Sequence, residues 1–449
     1  MQVEEVAGVG KVSAVVSDNA ANMKKAGKLI ELKHPNVVFN GCSAHAVNLL
    51  LKDIFKLDLF AEVLKKAAKI VKFVRARHLL LNRVRTHRRQ LPKSTKKGEL
   101  SAPVSTRWYA QEKCIKSVVR NKMPLQAAFA DTELMNHYAD RDSVRKLAEV
   151  RQIIGDKPFW RNAKVVLRLT KPITQTLAVL EADACSNSMI IHEFIELRKA
   201  PEYNEEIAGL VGTTVQEEIR KLIESRRKFI RPPSDSTTIA YLMDPSKSLA
   251  DLPNDGPADS ESDTSLGANS QVGPLRDALA KAVQLAERFG LPPGVSPAAF
   301  RSELLRFIKK KKTWTDVQRE DASQDPPLDW WTLDIEFPLL HNFAEKILSI
   351  PTSSAASERL WSVHGFTHSK LRNRLKVATV EKLSFIYTNS GDTRSPTLPV
   401  YKSTTRLREP DSDSEADVEN DDEDDFLFDF NDMEFEYLLD AIVSVEIDQ

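Results

Sequence analysis

Two acidic residues stand where a carboxylate could do chemistry. Asp18 lies at the carboxyl end of a β-branched run, Val12–Val16, that predicts a buried strand. In strand–helix–strand units, ligand sites often lie at the carboxyl ends of the strands. Glu358 is in the run SSAASERLWS, in the first turn of a predicted helix. Each residue also has a plain structural interpretation, because Asp18 could cap the next helix and Glu358 could complement the helix dipole.

Cys42 and His45 have a spacing that occurs in zinc sites. Two ligands are too few for structural zinc, and no second pair lies nearby in the sequence. A packed cysteine beside a helical histidine is therefore the better interpretation.

The densest positive run of the chain extends from Arg75 to Lys97 and includes Arg85, Arg88 and Arg89. Phosphate contact is one interpretation of this run. The alternative is a solvated helix face, which needs no ligand.

Two groups of elements must position these residues. The opening predicts strand, helix, strand, with the second strand at Val37–Phe39. The stretch Phe337–Asn389 predicts a helix, a stop at Pro351, a second helix, a basic connector and a final helix.

Several motifs together resemble hAT-type DNA transposases: VVSDNAANMKKA, CSAHAVNLLLKDI, and SSAASERLWS followed by LRNRL. The resemblance implies that Asp18 is the second and Glu358 the third metal-binding carboxylate of a ribonuclease H-like site. In an active enzyme of this family, such carboxylates hold Mg²⁺ or Mn²⁺ ions that drive DNA cleavage and joining.

The resemblance also implies DNA contacts. Cys42 and His45 match the Cys-x-x-His element that begins the family's insertion domain. Arg107 and Trp108 match its RW element, in which the tryptophan can stack on an extruded base. A lone tryptophan after a loop can equally be part of the core. We count these four residues, with Arg85, Arg88 and Arg89, as candidate DNA-binding residues.

The implied fold is α+β, a partial ribonuclease H-like core interrupted by a large all-helical insertion. Residues 1–41 would form the front segment, 42–335 the insertion, and 336–390 the dimerisation region that completes the core. Within the insertion, 244–274 is poor in apolar residues and predicts a disordered linker, and 391–449 predicts a disordered acidic tail. The resemblance implies self-association, and the side chains expected at the partner face are Leu339, Phe343, Ile347, Leu360, Trp361, Leu383 and Ile386.

The family has a further catalytic aspartate upstream of the one that Asp18 matches. Glu4 and Glu5 precede the first strand and match no motif, so the chain starts about where that part should have ended. We therefore expect an N-terminally truncated, transposase-derived protein that retains dimerisation and DNA binding without transposition activity. The alternatives are a truncated gene model of an active metal-dependent transposase, and a domesticated transcription-type regulator that uses the acidic aromatic tail.

Composition restricts the classes of protein to which the chain can belong. No run of about 18 apolar residues exists, so we expect no membrane span. Three scattered cysteines suit a reduced, intracellular protein, and the resemblance implies a nuclear one.

Charge is strongly separated along the chain. From Glu409 to Gln449 there are 18 acidic residues and no lysine or arginine, which leaves 46 acidic against 64 basic residues, or +18, in the first 408. A basic body suits a polyanionic partner, and the tail could compete with that partner or bind a protein of its own. A tail that is merely solvated is the alternative.

Overall fold

The computed structural model describes residues 12–91, 98–103, 109–132, 134, 141–207, 213–230, 235–252, 272–367 and 375–389. Arg107, Trp108 and the predicted acidic tail lie outside these ranges. The chain divides into two compact units, one of Met1–Glu62 and Lys164–Arg408 and another built on Val63–Ala163. None of the described helices is long and apolar enough to cross a membrane.

The first unit opens with the predicted strand–helix–strand. β1 (Ala14–Ser17) and β2 (Val38–Gly41) pair in parallel, with Ala14 opposite Val38. Helix α1 (Ala21–Lys33) connects them, because parallel neighbours need a crossover. The carboxyl ends of both strands therefore meet at one edge of the sheet.

Helices form nearly all the remaining regular structure among the described residues. In chain order they are α2 (Ser43–Ile54), α3 (Asp58–Arg75), α4 (His78–Gln90), α5 (Ala110–Arg120), α6 (Lys122–Ala130), α7 (Arg141–Gly155), α8 (Lys157–Leu180), α9 (Met189–Lys199), α10 (Pro201–Asn204), α11 (Thr214–Ile230), α12 (Ser236–Met243), α13 (Val272–Phe289), α14 (Pro297–Lys312), α15 (Asp316–Ala322), α16 (Pro327–Leu333), α17 (His341–Leu348), α18 (Ala355–Thr367) and α19 (Val377–Asn389). The protein is thus mostly helical with one small sheet, and the ribonuclease H-like core stays a prediction.

The predicted helix order at the C-terminal end is confirmed. Helix α17 ends at Leu348, and Pro351 lies in the break before α18 begins at Ala355. Helix α19 begins at Val377, beyond the basic connector. Proline lacks a backbone N–H and so favours this break.

Side chains from two other helices donate hydrogen bonds to the backbone carbonyl groups at the C-terminal end of α12. The ammonium group of Lys311 is fully buried and donates hydrogen bonds to the carbonyl oxygens of Tyr241 (3.1 Å) and Leu242 (2.9 Å). The indole N–H of Trp331 donates to the carbonyl oxygen of Met243 (2.7 Å). Burial lowers the pKa of Lys311 to about 7. These bonds supply partners for carbonyl groups that the helix itself leaves open.

The structure corrects the start of the predicted linker at residues 244–274. Asp244 is buried and accepts a 2.6 Å hydrogen bond from the hydroxyl of Ser188. A short 3₁₀ helix, Leu249–Asp251, follows it, and α13 already begins at Val272. Polar partners thus hold residues whose composition predicts disorder. Residues 253–271 lie outside the described ranges.

Candidate functional site

Asp18 lies where the sequence predicts it, directly after β1. Its Oδ1 atom accepts a hydrogen bond from the backbone N–H of Ala20 at 3.1 Å. This contact turns the chain into α1. Asp18 therefore has at least a structural role at the start of that helix.

Cys42 joins the end of β2 to the beginning of α18. Its sulfur accepts hydrogen bonds from the backbone N–H groups of His45 and Ser354, both at 3.3 Å. Beside it, the N–H of Ser43 donates to the carbonyl oxygen of Thr352 at 2.9 Å. These contacts bring the segment containing Glu358 to the sheet, although more than 300 residues separate the two parts of the chain.

The N-terminus of α18 is also tied to the end of α8. The guanidinium group of Arg359 donates to the carbonyl oxygen of Glu181 at 3.3 Å and bonds the carboxylate of Asp183. The hydroxyl of Thr352 donates to the carbonyl oxygen of Leu180 at 2.7 Å. Sequence reasoning missed these anchors, because nothing in the local sequence pairs them.

Asp18 and Glu358, which we call the carboxylate pair, are close enough to influence each other. Burial raises the pKa of Glu358, and the negative charge of Asp18 raises it further. Burial lowers the pKa of the nearby His45, and Asp18 opposes that change. The structure therefore brings together the two carboxylates and the histidine that the sequence singles out.

The carboxylate pair supplies only some of the ligands that a metal site needs. Mg²⁺ retains several waters and is often bound by one or two carboxylates plus substrate phosphates, so two carboxylates suit a single ion. Within the described ranges, no group of three or more histidine, cysteine, aspartate or glutamate side chains could hold a metal. Burial also raises the pKa of the Cys42 thiol, which suits a hydrogen-bond acceptor better than a thiolate ligand.

The predicted phosphate-binding arginines of the second unit have protein partners. Arg85 and Arg88 both bond the carboxylate of Glu99, at 3.0 Å and 2.6 Å respectively. Arg88 also donates to the carbonyl oxygen of Gly98 at 2.9 Å. Arg89 is exposed on α4. The bonds to Glu99 hold α4 against a loop, a structural role that the positive run alone does not reveal.

The residues predicted for the partner face divide by burial. Phe343, Ile347 and Leu383 are buried inside the chain, and Leu339 and Leu360 are half-buried. Trp361 and Ile386 are exposed. Val377 and Phe385, which the prediction did not include, are exposed to 73% and 69%.

Comparison with known families adds two matches. A family model described as a domain of unknown function (DUF659) matches residues 1–70, which contain Asp18, Cys42 and His45. The model of the hAT family C-terminal dimerisation region matches residues 303–390, which contain Glu358. No curated protein matches the chain. Residues 303–390 are therefore similar to the C-terminal dimerisation region of the hAT family, and the predicted resemblance to hAT-family transposases is confirmed.

Proposed function

We propose that this transposase-related protein self-associates through α18 and α19 and binds DNA. The observation that carries the proposal is the set of large apolar side chains that are exposed on α18 and α19, within the residues matched to the dimerisation region: Trp361, Val377, Phe385 and Ile386. We call this set the apolar set.

The packing of α18 and α19 explains why the apolar set is left outside. Val363, Val380 and Leu383 are buried and hold the helices in the fold. Trp361, in contrast, is 65% exposed on α18. Large aromatic side chains are the commonest anchors of protein interfaces, because burying them removes much apolar surface from water. A second copy of the chain is the partner that the dimerisation region supports.

The test is the oligomeric state of the full chain by sedimentation equilibrium. We expect the double variant Trp361→Glu with Phe385→Glu to weaken self-association by at least about 30-fold, since each residue is a candidate anchor. Leu32→Glu is the matched control, because Leu32 is 78% exposed on α1, outside the dimerisation region. An unchanged association constant for the double variant would refute the proposed interface.

DNA binding is supported by the charge of the body and by the carboxylate pair. The +18 excess in the first 408 residues suits a polyanion. Asp18 and Glu358 could take a Mg²⁺ or Mn²⁺ ion beside a phosphate, which is the feature that favours the alternative of a metal-dependent transposase. We propose a nuclear location on the same basis, as the compartment of the DNA partner.

A further inference from the structure

Asn19 is a buried residue next to Asp18, at the carboxyl ends of β1 and β2. It is only 6% exposed, and its Nδ2 group donates a 2.6 Å hydrogen bond to the carbonyl oxygen of Cys42. The backbone N–H of Cys42 donates, also at 2.6 Å, to the carbonyl oxygen of Ser17. Cys42 is therefore bonded both to the residue before Asp18 and to the residue after it, which fixes the backbone on each side of this aspartate.

Cys42 extends the same connection to the other carboxylate. Its sulfur accepts a hydrogen bond from the backbone N–H of Ser354 at 3.3 Å. The carbonyl oxygen of Ser354 in turn accepts one from the N–H of Glu358 at 3.1 Å, in the first turn of α18. A continuous series of hydrogen bonds therefore leads from the amide of Asn19, through Cys42, to the backbone of Glu358.

The oxygen of the Asn19 amide does not explain why an amide is buried here. The Oδ1 atom is buried and has no hydrogen-bond partner among the residues that the structure describes. It lies over Gly41, where an added Cβ atom would be 2.0 Å from it. A buried polar atom without a hydrogen bond lowers stability, so an amide bonded only through its N–H group contributes little to stability alone. The bond to Cys42 is the contact that this amide supplies.

We propose that Asn19 is the positioning residue of the carboxylate pair: its amide holds the end of β1 on Cys42, and Cys42 holds the first turn of α18. The inference rests on the proposed binding of a Mg²⁺ or Mn²⁺ ion by the pair, and it names the contact that keeps the two carboxylates together. Two partly buried carboxylates repel each other, so they separate unless the backbone that carries them is fixed. A site that is assembled before the ion arrives loses less conformational freedom on binding.

Asn36 provides a matched control at the opposite end of the same two strands. Its Nδ2 group donates to the carbonyl oxygen of Val12, just before β1, at 3.5 Å. Asn36→Ala therefore also removes a hydrogen bond between the segments that lead into β1 and β2, but it leaves the carboxylate end intact. Gly41→Ala is a second variant of the proposed contact, because the added Cβ atom must displace the Asn19 amide.

The test is a set of double-mutant cycles in the full chain. Asp18→Asn and Glu358→Gln are combined in four backgrounds, wild type, Asn19→Ala, Gly41→Ala and Asn36→Ala, and urea unfolding is measured at pH 7. Because either substitution relieves the repulsion, the double variant of the wild type should gain less stability than the sum of the two single gains. We expect this coupling to be lost in Asn19→Ala and Gly41→Ala and to persist in Asn36→Ala. A residue that only stabilises the sheet would lower the free energy of unfolding without changing the coupling.

Binding of Mn²⁺ to the full chain is the second measurement, and it is followed by the electron paramagnetic resonance signal of the free ion. We expect Asn19→Ala to weaken binding about 10-fold or more, as the loss of a contact behind metal ligands usually does. Asn36→Ala should change the dissociation constant much less.

The outcomes separate this inference from the function on which it rests. If the wild type shows the coupling but binds no Mn²⁺, the proposed ion fails, and the loss or persistence of the coupling in Asn19→Ala still decides the inference. Coupling that survives in both Asn19→Ala and Gly41→Ala, or that disappears equally in Asn36→Ala, would overturn the role of Asn19. A wild type without coupling would overturn it too, because the two carboxylates would then not lie together.

Discussion

At the residue scale, the carboxylate pair places two negative charges together at the end of a small sheet. Such an arrangement works against folding, because burial and the charge of Asp18 make ionisation of Glu358 less favourable and raise its pKa. Carboxylates with a perturbed pKa are common at functional sites, where a bound ligand can relieve the repulsion between them.

We predict that Glu358→Gln stabilises the protein at neutral pH. Burial and Asp18 raise the pKa of Glu358 in the folded state, so its favourable contribution is complete below its unfolded pKa and is lost as the pH rises through the folded value. Thermal unfolding at pH 7 should therefore show a higher Tm for the variant, by a few degrees at most, because the half-exposed carboxylate is screened by water. The advantage should disappear as the pH falls below about 4.5.

Glu345→Gln is the matched control for that measurement, because Glu345 is an exposed glutamate on α17. An equal gain in Tm for both variants would show that the effect is not specific to the carboxylate pair.

The wild type and the Glu358→Gln variant also test whether the carboxylate pair binds a metal ion. Mn²⁺ should raise the Tm of the wild type and leave that of Glu358→Gln nearly unchanged, since a bound ion stabilises the state that binds it.

At the element scale, the close packing of α1 on β2 depends on Gly27, which has no side chain. A Cβ atom on Gly27 would lie 2.2 Å from Cδ1 of the Phe39 ring, far inside van der Waals contact. Helix α1 begins just after Asp18, so a shift of α1 would also disturb the site.

We predict that Gly27→Ala lowers the free energy of unfolding by about 1–3 kcal/mol, the usual range for overpacking. In a helix, alanine is otherwise favoured over glycine by up to about 1 kcal/mol, so any loss must come from the contact with Phe39. Urea unfolding of Gly27→Ala, Phe39→Leu and the double variant measures this coupling. The double variant should be more stable than the sum of the single effects allows; strict additivity would contradict the packing explanation.

At the scale of the whole molecule, charge separation is the dominant feature. The chain has no net charge, yet its last 41 residues carry 18 acidic side chains and its body carries the matching positive excess. Opposite charges on one chain attract each other, and an acidic segment can occupy surfaces that a nucleic acid would otherwise bind.

We predict that removing residues 409–449 increases affinity for duplex DNA and steepens its salt dependence, because the shortened chain has a net charge of +18. The control is a full-length chain whose last 41 residues are scrambled, which keeps the charge and changes the order. Electrostatic competition requires the scrambled chain to bind like the wild type. The regulator alternative predicts unchanged DNA binding and loss of a protein partner when the tail is removed.

The sequence by itself determined the local elements and the resemblance to a family. β-Branched runs and helical periodicity predicted β1, α1 and β2 in order, and Pro351 separated two C-terminal helices as expected. The motifs around Asp18 and Glu358 identified the hAT resemblance, and family matches confirm it. These features depend on neighbouring residues, whose types and spacing are visible along the chain.

Only the tertiary structure decided which side chains face each other. It paired Arg85 and Arg88 with Glu99, placed Phe343 and Ile347 in the core, and left Trp361 exposed. It also brought Glu358 to Asp18 through the contacts of Cys42 with Ser354. The physical reason is that helical periodicity indicates which face of a helix is apolar, whereas burial and ion pairing depend on partners in other elements, which the local pattern does not identify.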